Sequence, residues 1–108
     1  MPEPSFAADL RSDGADAVVV LRGDLDLATV PRLDAVLATA FGSEGDVERV
    51  VVDMAAVEFI DSSGLTALVK GNRQAADLGL ALVIRAPSDR VLRTLQLTQL
   101  DTVLVVEG

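Results

Sequence analysis

Short apolar runs alternate along this chain with segments whose apolar residues recur at helical spacing. Ala17 to Leu21, Arg49 to Met54, Leu80 to Ile84 and Thr102 to Val106 are rich in valine and leucine. Runs of that length and β-branched content read as buried strands of the kind covered by helices on the face of a parallel sheet. Between them Val30, Leu33, Val36, Leu37 and Ala40 mark one amphipathic helix, and Leu65, Leu68, Val69 and Ala76 mark a second. Val91, Leu92 and Leu95 mark a short third. Strands alternating with helices argue for a mixed, largely parallel sheet, because parallel neighbours need a crossover connection and a tight turn cannot supply one. Phe6 to Arg11 adds a strand before Ser12-Asp13-Gly14-Ala15-Asp16, whose turn residues predict an antiparallel hairpin. The predicted order is β-β-α-β-α-β-α-β: an α/β fold with a small mixed β-sheet and crossover helices packed mainly on one face.

Local signals place the boundaries. Thr29 suits an N-cap and Pro31 the first turn of the helix it precedes, while Gly42 can end that helix. Ala55 to Ile60 reads as a connector, the second helix stops near Gly79, and Pro87-Ser88 caps the third. No repeat or long linker divides the 108 residues, so residues 1–108 are expected to form a single domain. Half of the residues are apolar, which excludes general disorder, but no unbroken stretch reaches the ~18 residues of a membrane span. Met1-Pro2-Glu3-Pro4 lacks the basic and apolar segments of a signal peptide, and the expectation is a cytoplasmic protein.

Composition narrows the chemistry. Cysteine and histidine are both absent, which removes disulfides, thiolate nucleophiles, the common zinc sites and imidazole catalysis. A net charge of −8 argues against nucleic acid and anionic membranes as partners, since both carry the same sign. Neither a G-x-x-x-x-G-K-[ST] nor a G-x-G-x-x-G pattern is present, so no cofactor is expected.

Two segments carry polar side chains where a strand gives way to a helix. In Phe59-Ile60-Asp61-Ser62-Ser63-Gly64-Leu65, two hydroxyls and a carboxylate stand at a helix start. Unpaired N–H groups and the positive end of the helix dipole favour oxygen anions there. A phosphate on Ser63 would meet those N–H groups and, at the same time, the repulsion of Asp61. Gly64 has no side chain to block a docking partner. The plainer alternative is capping, because Asp61, Ser62 and Ser63 are all good N-caps. Hydrolysis by a nucleophilic serine lacks a base. In Gly23-Asp24-Leu25-Asp26 the two carboxylates are too few for a dedicated cation site, and Asp26 or Thr29 can simply cap the first helix.

Taken with Thr29 and the Val-rich strand ending at Asp53, these two segments resemble STAS domains, and specifically the bacterial anti-sigma factor antagonists. The resemblance runs over nearly the whole chain. It implies a binding protein without catalysis of its own, whose unphosphorylated form binds an anti-sigma factor that is also a serine kinase and so frees a sigma factor. Phosphorylation at Ser63, the second serine of the motif, would switch binding off, and a metal-dependent serine phosphatase would restore it. Asp24, Asp26, Asp61, Ser62, Ser63 and Gly64 would form the docking face. Family members often carry a further C-terminal helix, whereas Val106-Glu107-Gly108 follows a strand directly. STAS-like domains also serve as accessory subunits of lipid or anion transporter complexes, without phosphorylation, and that is the alternative.

Overall fold

The computed structural model describes residues 6–43 and 46–108; the Met1-Pro2-Glu3-Pro4 segment lies outside them. The elements are β1 (Ala7–Asp13), β2 (Asp16–Leu25), α1 (Val30–Phe41), β3 (Arg49–Ile60), α2 (Ser62–Asp77), β4 (Ala81–Arg85), α3 (Asp89–Leu97) and β5 (Val105–Glu107). One turn of 3-10 helix, Leu100–Thr102, precedes β5. The five strands lie in the order β1-β2-β3-β4-β5. β1 pairs antiparallel with β2, and the turn between Asp13 and Asp16 uses Gly14 at φ 61°. Every later pair is parallel. Each helix connection moves one strand in the same direction, so right-handed crossovers put all three helices on the same side.

That side holds the core. Ala17, Val19 and Leu21 of β2, Val50, Val52 and Met54 of β3, and Leu82 and Ile84 of β4 point toward it. Leu33 and Leu37 of α1, Leu65 and Leu68 of α2, and Val91 and Leu95 of α3 close over them. The predicted order and the one-sided packing are therefore those of the molecule.

The opposite face has no helix, yet two of its valines are as dry as the core. Val18, Val51, Val83 and Val105 stand side by side across β2 to β5. Val51 and Val83 are only 0% and 3% exposed. Long charged side chains take the place of a helix here. Arg49 Nη2 lies 2.8 Å from Asp16 Oδ2, and Arg49 Nη1 lies 3.0 Å from Glu107 Oε2. Arg85 stands 3.9 Å from each of the same two carboxylates. The network thus reaches from β2 to β5, and its aliphatic stems shield the valines beneath. The Arg49 hydrogen bonds hold the Asp16 carboxyl below its ordinary pKa, and Asp16 in turn pushes the Arg49 guanidinium further up.

Several boundaries differ from the sequence reading: β1 runs to Asp13 rather than Arg11, and β2 runs on through Gly23 and Asp24, read as loop, to Leu25. Ala55 to Ile60 is no connector, since β3 continues unbroken to Ile60. Register shifts against β2, between Val20 and Arg22 and again between Gly23 and Asp24, each insert one extra residue on β3. The core residues Met54, Val57 and Ile60 therefore recur every third position, and the two-residue alternation of an ordinary strand is lost. Asp53 Oδ1 accepts from the Ala55 N–H at 3.0 Å beside the first shift, and Gly23 supplies a φ of 93° at the second. The last strand starts at Val105 rather than Thr102, which belongs to the 3-10 turn. Gly42 does end α1, but at φ −90°, without the left-handed turn that would need a glycine.

Candidate functional site

β2 and β3 outrun β4 by several residues, and their C-terminal ends carry both motif segments to one edge of the sheet. Leu25 pairs with Ile60, and the Asp61 N–H donates to the Leu25 carbonyl at 3.1 Å. The loop into α1 and the start of α2 therefore sit side by side.

The first loop is knotted by its own hydrogen bonds. Asp26 Oδ1 accepts from the N–H groups of Ala28 at 3.0 Å and Thr29 at 3.2 Å. Thr29 Oγ1 accepts from the Asp26 N–H at 2.9 Å and donates to the Asp24 carbonyl at 2.8 Å. Thr29 occupies the N-cap position of α1, but its side chain makes no capping bond to that helix. The hydroxyl instead ties the loop back onto the end of β2. Asp24 faces Phe59 across the ladder and is half-buried, whereas Leu27 projects into solvent with 74% exposure.

The start of α2 is arranged otherwise. Asp61 is its N-cap, and Oδ1 accepts from the Gly64 N–H at 3.0 Å. Ser62 and Ser63 are the first two helical residues, so capping, open to all three on sequence grounds, belongs to Asp61. Among the described residues the Ser62 and Ser63 hydroxyls take no part in the hydrogen bonds of the helix start. Ser62 is exposed and Ser63 half-buried.

Gly64 is not on the surface at all. A Cβ there would come within 2.7 Å of Ile60 Cγ1, 2.8 Å of the Leu25 carbonyl oxygen and 2.9 Å of Leu25 Cγ. Its bare Cα lets α2 begin directly against the ends of β2 and β3. Gly64, read from the sequence as part of a docking face, is buried against Ile60 and Leu25.

Ser63 lies on the wall of a groove of about 360 Å³ between α1 and α2. Ser62, Ser63, Thr66, Ala67 and Lys70 line it from α2, and Leu27, Val30 and Asp34 line the other side. Asp34 and Lys70 also line a second hollow that continues toward Phe41 and Leu78. The sequence analysis did not single out Leu27, Val30, Asp34, Thr66 or Lys70, which share the groove with Ser63. Their spacing, 30 and 34 on one helix and 63, 66, 67 and 70 on the other, holds the signal, since each set forms one helical stripe. Among the described residues no three acidic side chains gather into a group that could hold a metal ion, and no helix is long and apolar enough to cross a membrane.

Known structures share this fold. An anti-sigma factor antagonist from Mycobacterium paratuberculosis superposes with a TM-score of 0.86 at 22% identity, over 99% of this chain and 89% of that one. The anti-sigma factor antagonist SpoIIAA in its unphosphorylated form gives 0.76 at 23% identity, over 94% and 89%. The Bacillus cell fate determinant SpoIIAA in its phosphorylated form gives 0.69 at 22% identity, over 94% and 92%. A sulfate transporter family protein from Wolinella succinogenes gives 0.75 at 21% identity, over 88% and 78%. The fold is thus common to antagonists and to a transporter-family protein. Residues 8–107 match the family described as Mlab, STAS domain, and the chain belongs to the STAS domain family.

Proposed function

We propose that this protein is an anti-sigma factor antagonist controlled by phosphorylation of Ser63. The observation that carries the reading is the contrast in hydroxyls at the sheet edge. Thr29 is held by the loop, whereas Ser63 stands half-buried on a groove wall while Asp61 does the capping. An available hydroxyl on a concave surface suits a side chain that another protein modifies. The chain has no histidine, and among the described residues no side chain hydrogen-bonds the Ser63 hydroxyl, so the base and the catalysis are assigned to the partner, an anti-sigma factor that is also a serine kinase. In that step Ser63 Oγ attacks the γ-phosphorus of ATP. The new O–P bond replaces the bond to ADP, and the hydroxyl proton passes to a base of the kinase.

The unphosphorylated face, formed by Asp24, Asp26, Asp61, Ser62 and Ser63 around exposed Leu27, binds the anti-sigma factor and frees a sigma factor. A phosphate brings about −1.5 to −2 charges to that face. Desolvating them against a partner costs several kcal/mol unless they are paired, and ~2.7 kcal/mol already weakens binding a hundredfold. A metal-dependent serine phosphatase reverses the change. The cytoplasm is where such partners would meet it.

Incubation with the cognate kinase and labelled ATP tests the assignment. Wild type and Ser62→Ala take up label, and Ser63→Ala does not; full labelling of Ser63→Ala would refute it. A second reading is favoured by the family description and by the transporter-family neighbour: an accessory subunit of a transporter complex, bound but not phosphorylated. A pull-down from native cytosol, with mass spectrometry of partners and phosphosite, separates a kinase from transporter subunits.

A further inference from the structure

We propose that Lys70 is the intrachain counter-ion of a phosphate on Ser63, in the groove that both residues line with Asp34. The inference rests on the phosphoserine reading above and adds to it a residue outside the motif. Ser63, Thr66 and Lys70 follow one another along a single stripe of α2 and line the same groove. Seven residues of helix separate the outer two by ~10.5 Å along the axis. A helical side chain leans over the turn before its own Cα, so the Lys70 stem is directed toward the Ser63 end of the groove.

The charges of the groove point the same way. Among its lining residues Asp34 and Lys70 are the charged pair, and they face each other from α1 and α2. Among the described residues no carboxylate lies within ion-pair distance of Lys70; the ion pairs are those of Arg49 and Arg85 on the far face. Its ammonium is a mobile point charge with three donors on a flexible stem. At the same sheet edge stand the carboxylates of Asp26 and Asp61, each accepting from backbone N–H groups. They repel a phosphate on Ser63, and Lys70 is the cation within the same groove.

Pairing with the phosphate turns the Lys70 ammonium toward the start of α2, so modification alters the groove both at Ser63 and at Lys70, which lines it beside Asp34. A partner seated along α1 and α2 meets both changes, although only one residue has been modified.

Installing phosphoserine at position 63 by genetic encoding makes the test independent of any kinase. The second ionisation of the phosphate, ordinarily near pH 6, is followed by 31P NMR as pH is varied. Lys70→Met raises the midpoint by about 0.5 unit or more, because the cation that favours the dianion is gone, and Lys70→Arg retains the wild-type midpoint. Asp34→Asn lowers the midpoint, since Lys70 then has no competing carboxylate. Lys70 is exposed, so the unmodified variants should melt with wild type. Coincident titrations of wild type and Lys70→Met phosphoproteins would overturn the proposal. A lysine-dependent midpoint supports it even where no kinase labels Ser63, an outcome that refutes the switch and not the ion pair.

Discussion

At the start of α1 a threonine and an aspartate are woven into the loop, through bonds of 2.8 to 3.2 Å to backbone groups of Asp24, Asp26, Ala28 and Thr29. At the start of α2, one carboxylate makes one capping bond of 3.0 Å, and two serines are left over. Both starts follow a parallel strand, both use an aspartate, and they lie side by side. The difference shows how a fold separates hydroxyls that hold structure from hydroxyls that can serve chemistry. A side chain whose bonds go to its own loop cannot be modified without unravelling that loop. One that stands beside a cap, rather than acting as one, can be.

The sharpest break comes at Gly64, which lets the second start sit tight against the sheet. Gly64→Ala forces a methyl group into the Leu25 backbone and should cost about 2–3 kcal/mol in urea unfolding. A loss below about 0.5 kcal/mol would show that α2 can withdraw from β2, and that its position is less defined than the contacts imply. Next is Thr29→Val, which keeps the shape but strands the Asp26 N–H and the Asp24 carbonyl. A loss of about 1–2 kcal/mol is expected, and a neutral result would mean that water replaces the hydroxyl.

Asp61→Ala removes the cap of α2 and should cost about 1 kcal/mol. Ser63→Ala should change stability by less than about 0.5 kcal/mol, since its hydroxyl holds nothing in place. Equal losses at Thr29 and Ser63 would erase the distinction between the two starts.

The smallest effect is expected on the far face, away from both. The Asp16 carboxyl, held below its ordinary pKa by Arg49, stabilises the fold at pH above the unfolded value of about 4. That contribution is lost as pH falls through the lower folded value. Asp16→Asn lacks it at every pH, so the gap between its melting temperature and that of wild type should close as the solution is acidified. A gap that stays constant from pH 7 to pH 3 would show that the ion network contributes nothing through this carboxylate.

Much of this was legible in the residues. The valine-rich runs and the helical stripes of Leu33, Leu37, Leu65 and Leu68 specify strands and helices through periodicities that a chain carries locally. Asp61-Ser62-Ser63-Gly64 announces a helix start in the same way. The continuation of β3 through Ala55 to Ile60 was not legible, because two register shifts turn a two-residue alternation into a spacing of three. Such shifts are defined only against the partner strand.

By itself, then, the sequence determined the α/β order, the one-sided core and the place of the motif between strand and helix, all consequences of side-chain spacing along one stretch of chain. Only the tertiary structure decided which of Asp61, Ser62 and Ser63 would cap, that Gly64 would be buried, and that Lys70 and Asp34 would face one groove with Ser63. It also decided that Arg49, Asp16, Arg85 and Glu107 would roof the helix-free valines. Capping turns on the exact residue at which α2 leaves the sheet, and the groove and the roof join residues from separate elements. Distances of that kind arise only when the strands take their register and the helices settle onto them.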